Sequence, residues 1–383
     1  MPTLTAVLEA EKITTRTDNF YRPGLDIFRA LAFLLVFLAH GLILNIDKST
    51  ELGAIARAGE FGVCIFFFLS SYLITELLLR ERRETGTISI HAFYVRRILR
   101  IWPLYFAMIA FGWISGLFLP SHALSAAWVA ALMLLCANWY TAGHDYPPGF
   151  LFPLWSISLE EQFYLLWPCL MKYLSPASLL GISSLLIAVA YLTMIRLLAH
   201  GHTLDPRLWV NSLVQFQFFA LGTMTAIVLR GRIPALSKTL RGGLFIVGLL
   251  CFRAAQAAVF DRDPITPHDF AHIAPRYAIA LAGCLCLFFS CLPLSGGERQ
   301  KPLIYLGKIS YGLYVFHVLW LGLARHLVDH LFADHAGPLI SQLLTMAVAL
   351  IATVVTAMIS YRYLESPFLR FKKRFTVIRS RPV

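Results

Sequence analysis

The sequence predicts an all-α fold: a polytopic bundle of about ten membrane-spanning helices with both termini in the cytoplasm. Hydrophobic residues form 58% of the 383-residue chain and charged residues only 14%. Mean hydropathy is +0.68, and a soluble globule built this way would have too little polar surface to cover its core. The apolar residues also fall in successive runs, most of them long enough at ~1.5 Å per residue to cross a ~30 Å hydrocarbon layer. Spans and short connections use nearly the whole chain and leave no room for an attached soluble catalytic domain. Any chemistry has to reside in the membrane domain.

The expected crossings are residues 25–46, 59–79, 101–119, 151–173, 179–199, 208–229, 242–260, 273–293, 304–328 and 340–361, and a shorter apolar run covers 125–140. Basic residues gather in four places. Lys12, Arg16 and Arg22 precede the first span; Arg80, Arg82, Arg83, Arg96, Arg97 and Arg100 lie in 80–100; Arg230, Arg232, Lys238 and Arg241 lie in 230–241; and the tail holds Arg370, Lys372, Lys373, Arg374, Arg379 and Arg381. The positive-inside rule puts all four on the cytoplasmic face. Between the second and third the chain must then cross an even number of times, yet five runs lie there. The run at 125–140 is the shortest and enters the polar, proline-bearing stretch 138–148, so it is expected to be a re-entrant or surface helix. The loops at 47–58, 120–150, 200–207, 261–272 and 329–339 then face outward. They are poor in lysine and arginine and contain Asp145, Asp205, Asp261, Asp263, His268, Asp269 and Asp334. The resulting organisation is a cytoplasmic segment 1–24, a membrane domain 25–368 and a basic cytoplasmic tail 369–383.

The net charge of +12 belongs to this topology rather than to nucleic-acid binding, because the basic residues flank apolar runs instead of decorating a polar fold with stacking aromatics. Cys64, Cys136, Cys169, Cys251, Cys284, Cys286 and Cys291 fall mostly inside apolar runs without metal-ligand spacing, and read as packing residues. No metal site is expected. Residues 1–24 are polar and show no removable signal peptide.

Five stretches carry candidate chemistry. Residues 24–41 read GLDIFRALAFLLVFLAHG: Asp26 and Arg29 open a span, and His40 follows about 16 Å further along the helix axis, past mid-membrane. An ionisable group held at that depth is a functional candidate. Residues 62–73, GVCIFFFLSSYL, read as a packed or lipid-facing helix in which Ser70, Ser71 and Tyr72 can bond across helices. In 93–105, FYVRRILRIWPLY, the arginines Arg96, Arg97 and Arg100 cluster where the chain re-enters the membrane, and Arg97 and Arg100 share a helix face. They are either topology anchors or a phosphate clamp, since paired guanidiniums bind phosphate bidentately. Residues 153–168, PLWSISLEEQFYLLWP, place Glu160 and Glu161 inside an apolar run. Glu160 lies roughly 13 Å below the outer face and His40 about 9 Å, so the two are expected to meet, with the carboxylate orienting the imidazole as a general base needs. In 306–320, LGKISYGLYVFHVLW, the residues Tyr311, Tyr314 and His317 form a sloping polar stripe. Arg196, Arg253, Arg276 and Arg325 fall at outer span ends, where they either snorkel to the interface or offer a docking surface for an anionic or polyhydroxylated acceptor.

With these stretches in order, the chain from about 23 to 368 resembles the acyltransferase-3 family of integral membrane O-acyltransferases. The likeness rests on G-L-D-x-x-R with histidine eleven residues after the arginine, G-V-x-I-F-F-F-L-S, F-Y-x-R-R-x-x-R-I-x-P-x-Y, W-S-x-S-x-E-E-Q-F-Y-L-L-W-P, S-Y-x-x-Y-x-x-H and the closing residues 363–367. Ser71 stands where the family commonly has glycine, and Leu364-Glu365-Ser366-Pro367 lacks the lysine often found before the proline. An esterase-like domain, and with it a second acyl-handling step, is not expected in this chain.

The resemblance implies transfer of an acyl group, most often acetyl, from cytoplasmic acyl-CoA to a hydroxyl of a carbohydrate of the bacterial envelope, by an enzyme of the inner membrane. It implies His40 as the catalytic histidine, Arg29, Arg97 and Arg100 as membrane-entry arginines and Glu160 as a supporting carboxylate. The donor's phosphates would meet Arg97 and Arg100, with Arg96 beside them and with Arg29 and Asp26 bracing the inner end. His40 would deprotonate the acceptor directly, with Tyr311, Tyr314 or His317 as oxyanion donors, the alternative being a transient acyl-histidine. The alternative is a transporter or flippase of a sugar or lipid-linked intermediate, using the same polar stripe without consuming donor. A third reading is a structural subunit of an envelope-assembly complex, in which the buried histidines would be replaceable.

Overall fold

The computed structural model describes residues 21–43, 50–200, 206–260, 270–332 and 337–375, and every regular element among them is helical. Lys12, Arg16, Asp205, Asp261, Asp263, His268, Asp269, Asp334, Arg379 and Arg381 lie outside the described residues.

The first helix, α1 (Pro23–Ile43), is the axis of the bundle, because its apolar residues point in almost every direction: Phe28, Ala32, Phe33, Val36 and Phe37 are all buried. It packs against α2 (Glu51–Ala58) and α3 (Gly62–Thr85) on one side. On the other it meets α12 (Phe270–Cys291), α13 (Lys301–Lys308), α14 (Ser310–Phe332) and α15 (Pro338–Ser360). Small residues permit these close approaches, as in membrane helix pairs generally. A Cβ on Gly307 would overlap the Asp26 carbonyl, so α13 can only lie against the foot of α1 with glycine there.

The helix α3 ends at Gly86, which takes a left-handed φ of 75° and caps the last turn. Helix α4 (Ile90–Phe118) starts at Ser89, whose hydroxyl accepts from the Ala92 amide, and runs for 29 residues. The expected non-spanning run 125–140 is two short helices, α5 (Ala126–Met133) and α6 (Ala137–Gly143), broken where Leu135 takes a φ of 58°. Asn138 pins α6 inside the protein: it donates to the Val210 carbonyl at 3.1 Å and to Ser212 at 2.8 Å, while Gln162 donates to its oxygen at 2.8 Å. Then come α7 (Leu154–Tyr173), α8 (Pro176–Ala199), α9 (Pro206–Trp209), α10 (Ser212–Leu229) and α11 (Lys238–Phe260). After α15 a π-helical turn, Tyr361–Glu365, leads into α16 (Ser366–Lys372).

Eight helical spans among the described residues are long and apolar enough to cross a membrane, and nine if the bent pair α13–α14 is one span. This chain is a multi-pass membrane protein. Large apolar side chains such as Leu117, Leu165, Val228 and Ile351 are more than 60% exposed, which suits lipid rather than water. Two expected crossings differ in detail. The run 304–328 is bent by 70° between Lys308 and Ser310. Helix α7 spans 20 residues but holds Glu160, Glu161, Gln162 and Lys172, and it falls outside the apolar set.

The basic segments converge at one end. Arg22 reaches the Gly231 carbonyl at 3.5 Å, Arg82 donates to the carbonyls of Met171 and Leu174, and Arg96 donates to the carbonyl of Phe375 at 2.7 Å. Arg276 departs from the snorkelling expectation: it is 3% exposed, with its guanidinium over the rings of Phe61 and Trp209 at 5.4 and 5.6 Å. Aromatic faces supply an attraction there that water would supply at an interface. Of the cysteines, Cys64, Cys284 and Cys291 are buried and Cys136 is exposed.

Gly307→Ala should push α13 off α1 and destabilise the fold by about 1–3 kcal/mol, the usual cost of overpacking. A lowered thermal unfolding midpoint of the purified protein checks this, and an unchanged midpoint refutes it.

Candidate functional site

A deep cleft opens at the end of the bundle where the basic segments meet and runs up beside α1. It encloses about 1220 Å³ of empty space, a figure that includes its open mouth. At the mouth stand Arg22 and Arg29 from the start of the chain's first span, Arg97 and Arg100 from α4, and Lys372 from α16. Helix α3 lines it with Phe66, Phe67 and Ser70, and the neighbouring α7 with Ser156, Glu160 and Tyr164. The α13–α14 bend delivers Ser310, Tyr311 and Tyr314 to the upper part.

Arg97 and Arg100, three residues apart on α4, both face the cleft as helical spacing requires. Neither has a carboxylate partner within 4 Å among the described residues; Arg97 lies over the ring of Tyr164 at 5.1 Å and that of Phe93 at 5.5 Å. Arg29 is paired with Asp26 at 2.6 Å. Arg96 does not line the cleft as expected. Its guanidinium is taken by Glu81 at 3.0 Å and by the Phe375 carbonyl, because one residue of rotation on α4 turns it toward the end of α3.

Glu160 also departs from expectation. It accepts from Ser70 at 3.0 Å and from Tyr164 at 2.9 Å, and does not bond His40. The two residues do not share a level: His40 packs against Phe152, eight residues before Glu160 and just ahead of α7, whereas Glu160 looks toward Arg97 and Arg100 at the mouth. Glu161 turns the other way and accepts from Trp102 at 3.3 Å.

The partner of His40 is His317. Their Nδ1 and Nε2 atoms are 2.8 Å apart, with the rings at 20° to each other. His317 is completely buried, and its Nδ1 lies 2.6 Å from the Tyr314 carbonyl. A carbonyl can only accept, so a neutral His317 carries its proton on Nδ1 and its Nε2 must accept. The proton between the rings then belongs to Nδ1 of His40. That leaves Nε2 of His40 bare, with no protein partner among the described residues. His40 is half-buried and packs edge-on against Phe152, whose ring meets Tyr146 at 4.4 Å.

The remaining candidates are largely committed. Tyr311 donates to the Ile101 carbonyl at 2.8 Å. The Tyr314 hydroxyl lies 2.7 Å from Ser156 and 3.4 Å from the Pro153 carbonyl, at the cleft's inner end, and its ring is 5.5 Å from that of His317. Tyr314 therefore links the two halves of the site: it lines the cleft, and its carbonyl sets the histidine pair. Sequence reasoning missed Ser70, Tyr164 and Lys372 as cleft residues; the i,i+4 spacing of Glu160 and Tyr164 was the available signal.

The described residues form an all-helical membrane bundle with a cationic cleft at one end and an ordered imidazole pair beyond its inner end, an arrangement with the means to hold an anion near a base. Comparison with known families identifies it: a model described as an acyltransferase domain matches residues 22–362, and the chain belongs to the acyltransferase-3 family. It is 28% identical over 392 residues to the peptidoglycan O-acetyltransferase OatA of Listeria monocytogenes, covering 95% of this chain and 59% of that protein. It is 28% identical over 387 residues to the putative peptidoglycan O-acetyltransferase YrhL of Bacillus subtilis, covering 94% and 57%. A putative O-acetyltransferase of Staphylococcus aureus, SAS0844, is 25% identical over 373 residues, covering 91% and 57%. The chain thus spans less than two thirds of the length of these relatives. No solved structure matches it.

His317→Ala should release the tautomer of His40. Imidazole ¹⁵N shifts are expected to report an Nδ1-protonated His40 in the parent protein and a mixture, or the Nε2-protonated form, in the variant. An Nε2-protonated His40 in the parent would refute the derived proton order.

Proposed function

We propose that this chain is a membrane O-acyltransferase that moves an acetyl group from cytoplasmic acyl-CoA to a hydroxyl of an envelope carbohydrate. The observation that carries the reading is the bare Nε2 of His40, set by His317 and placed beyond the inner end of an arginine-mouthed cleft. Under this reading the convergent basic segments face the cytoplasm, and the donor's phosphates lie among Arg29, Arg97 and Arg100. Its pantetheine arm runs up between α3 and α7, and the thioester reaches Tyr314. Glu160 serves the cleft by holding Tyr164 under Arg97.

The acceptor hydroxyl comes to His40 from the opposite end, past Phe152. Nε2 of His40 takes the hydroxyl proton as the oxygen attacks the thioester carbon. The carbon–sulfur bond breaks, the acetyl group stays on the acceptor oxygen, and the proton passes to the departing thiolate. His317 keeps the base oriented. Of the three groups considered as oxyanion donors, Tyr314 suits the role best, since it lines the cleft and its hydroxyl can turn from Ser156 to the substrate. Tyr311 spends its proton on Ile101, and His317 presents no proton to the cleft.

The names of the relatives favour acetyl as the acyl group and peptidoglycan-like saccharide as the acceptor class. The transporter reading is the weaker one, because the relatives carry the names of O-acetyltransferases.

The test is release of free thiol from acetyl-CoA by the purified protein, dependent on added peptidoglycan fragments. His40→Ala should lower it by about 10²–10⁴-fold, the range removed with a general base; normal turnover in that variant would refute the mechanism. Glu160→Gln should act mainly on the KM for acetyl-CoA and leave kcat within roughly threefold, because the carboxylate faces the arginines rather than His40. A large loss of kcat with unchanged KM would return Glu160 to the histidine.

A further inference from the structure

The segment after the last long helix is expected from sequence only to mark a membrane face, yet it is built into the cleft. The π-helical turn Tyr361–Glu365 carries the end of α15 into α16 without a loop. Arg96 holds the chain just beyond α16: one nitrogen donates to the Phe375 carbonyl at 2.7 Å and another to Glu81 at 3.0 Å. The other Glu81 oxygen accepts from the Ser89 amide at 2.8 Å, which ties this strap to the turn before α4. The ring of Phe375 meets those of Phe371 and His91 at 5.7 and 6.4 Å. The segment is therefore fastened to the first turns of α4, the helix whose next turn bears Arg97 and Arg100.

This fastening places Lys372 in the wall of the cleft mouth. With Arg22, Arg29, Arg97 and Arg100 it makes five cationic side chains there against two carboxylates, Asp26 and Glu160. Like charges gathered in a partly desolvated mouth repel one another unless an anion joins them. A ligand with several phosphate groups can meet more than one of these side chains at once.

We propose that Lys372 binds a phosphate group of the acyl-CoA donor, so that the segment beyond the last long helix is part of the donor site. This rests on the reading of the cleft as an acyl-CoA site. A phospholipid headgroup offers the same phosphate chemistry, and the experiment separates the two sources.

Equilibrium binding of radiolabelled acetyl-CoA is measured on the full chain in nanodiscs of phosphatidylcholine alone, beside competition by acetyl-pantetheine, which has the thioester arm but no phosphate. Lys372→Gln should weaken acetyl-CoA binding by roughly tenfold and leave acetyl-pantetheine unchanged, and Lys372→Arg should restore binding to within about threefold. Equal acetyl-CoA affinity in Lys372→Gln and the parent overturns the proposal, as does an equal loss for both ligands, which marks damage to the fold. A defect that emerges only when anionic lipid is added assigns Lys372 to a headgroup and also overturns it. Failure of the parent protein itself to bind acetyl-CoA would instead refute the function proposed above.

Discussion

One backbone carbonyl, that of Tyr314, orders the chemistry available to this protein. In an apolar bundle a histidine cannot borrow water to settle its proton, so the nearest fixed acceptor decides the tautomer. The 2.6 Å contact from His317 to that carbonyl fixes one ring, and the 2.8 Å contact between the rings fixes the other. The result is an imidazole pair ordered by a peptide group, with no carboxylate bonded to either ring among the described residues. Everything else in the site depends on α14 presenting Tyr314 and His317 to α1, which in turn depends on the bend at the α13–α14 junction and on Gly307 letting α13 lie against Asp26.

The cleft is organised by a separation of charge from reaction. Its cations gather at the mouth, its middle is walled by phenylalanines of α3, and its inner end is a hydroxyl pair, Tyr314 and Ser156. A ligand with a charged head and a long neutral arm would match that order. His40 itself is half-buried and packs edge-on against Phe152, so its surroundings are aromatic instead of cationic.

Much of this is legible in the chain. Composition gives the membrane bundle, and the parity of basic segments identifies 125–140 as the run that does not cross. The spacing of Arg97 and Arg100 gives their common face, and the histidine eleven residues beyond Arg29 marks the first helix. What sequence cannot provide is how one helix is shifted and rotated against another. Helical rise puts Glu160 and His40 at one depth only through assumed span ends, and packing instead sets His40 beside Phe152, eight residues before Glu160. Glu160 consequently reads as the histidine's partner when His317, legible only as part of a polar stripe, holds that place. The same limit applies to Arg96 and Lys372. Both belong to basic clusters that topology already explains, and only packing shows that one fastens the other's segment to the cleft.

The central claim is that thioester and base meet at the inner end of this cleft, and an experimental structure of the full chain with a non-hydrolysable acetyl-CoA analogue tests it most directly. The analogue's phosphates should lie among Arg29, Arg97 and Arg100, its arm between α3 and α7, and its acyl carbon beside Tyr314, within reach of an alcohol held at Nε2 of His40. An acyl group found away from that imidazole, or a nucleotide bound outside the arginine mouth, would contradict it.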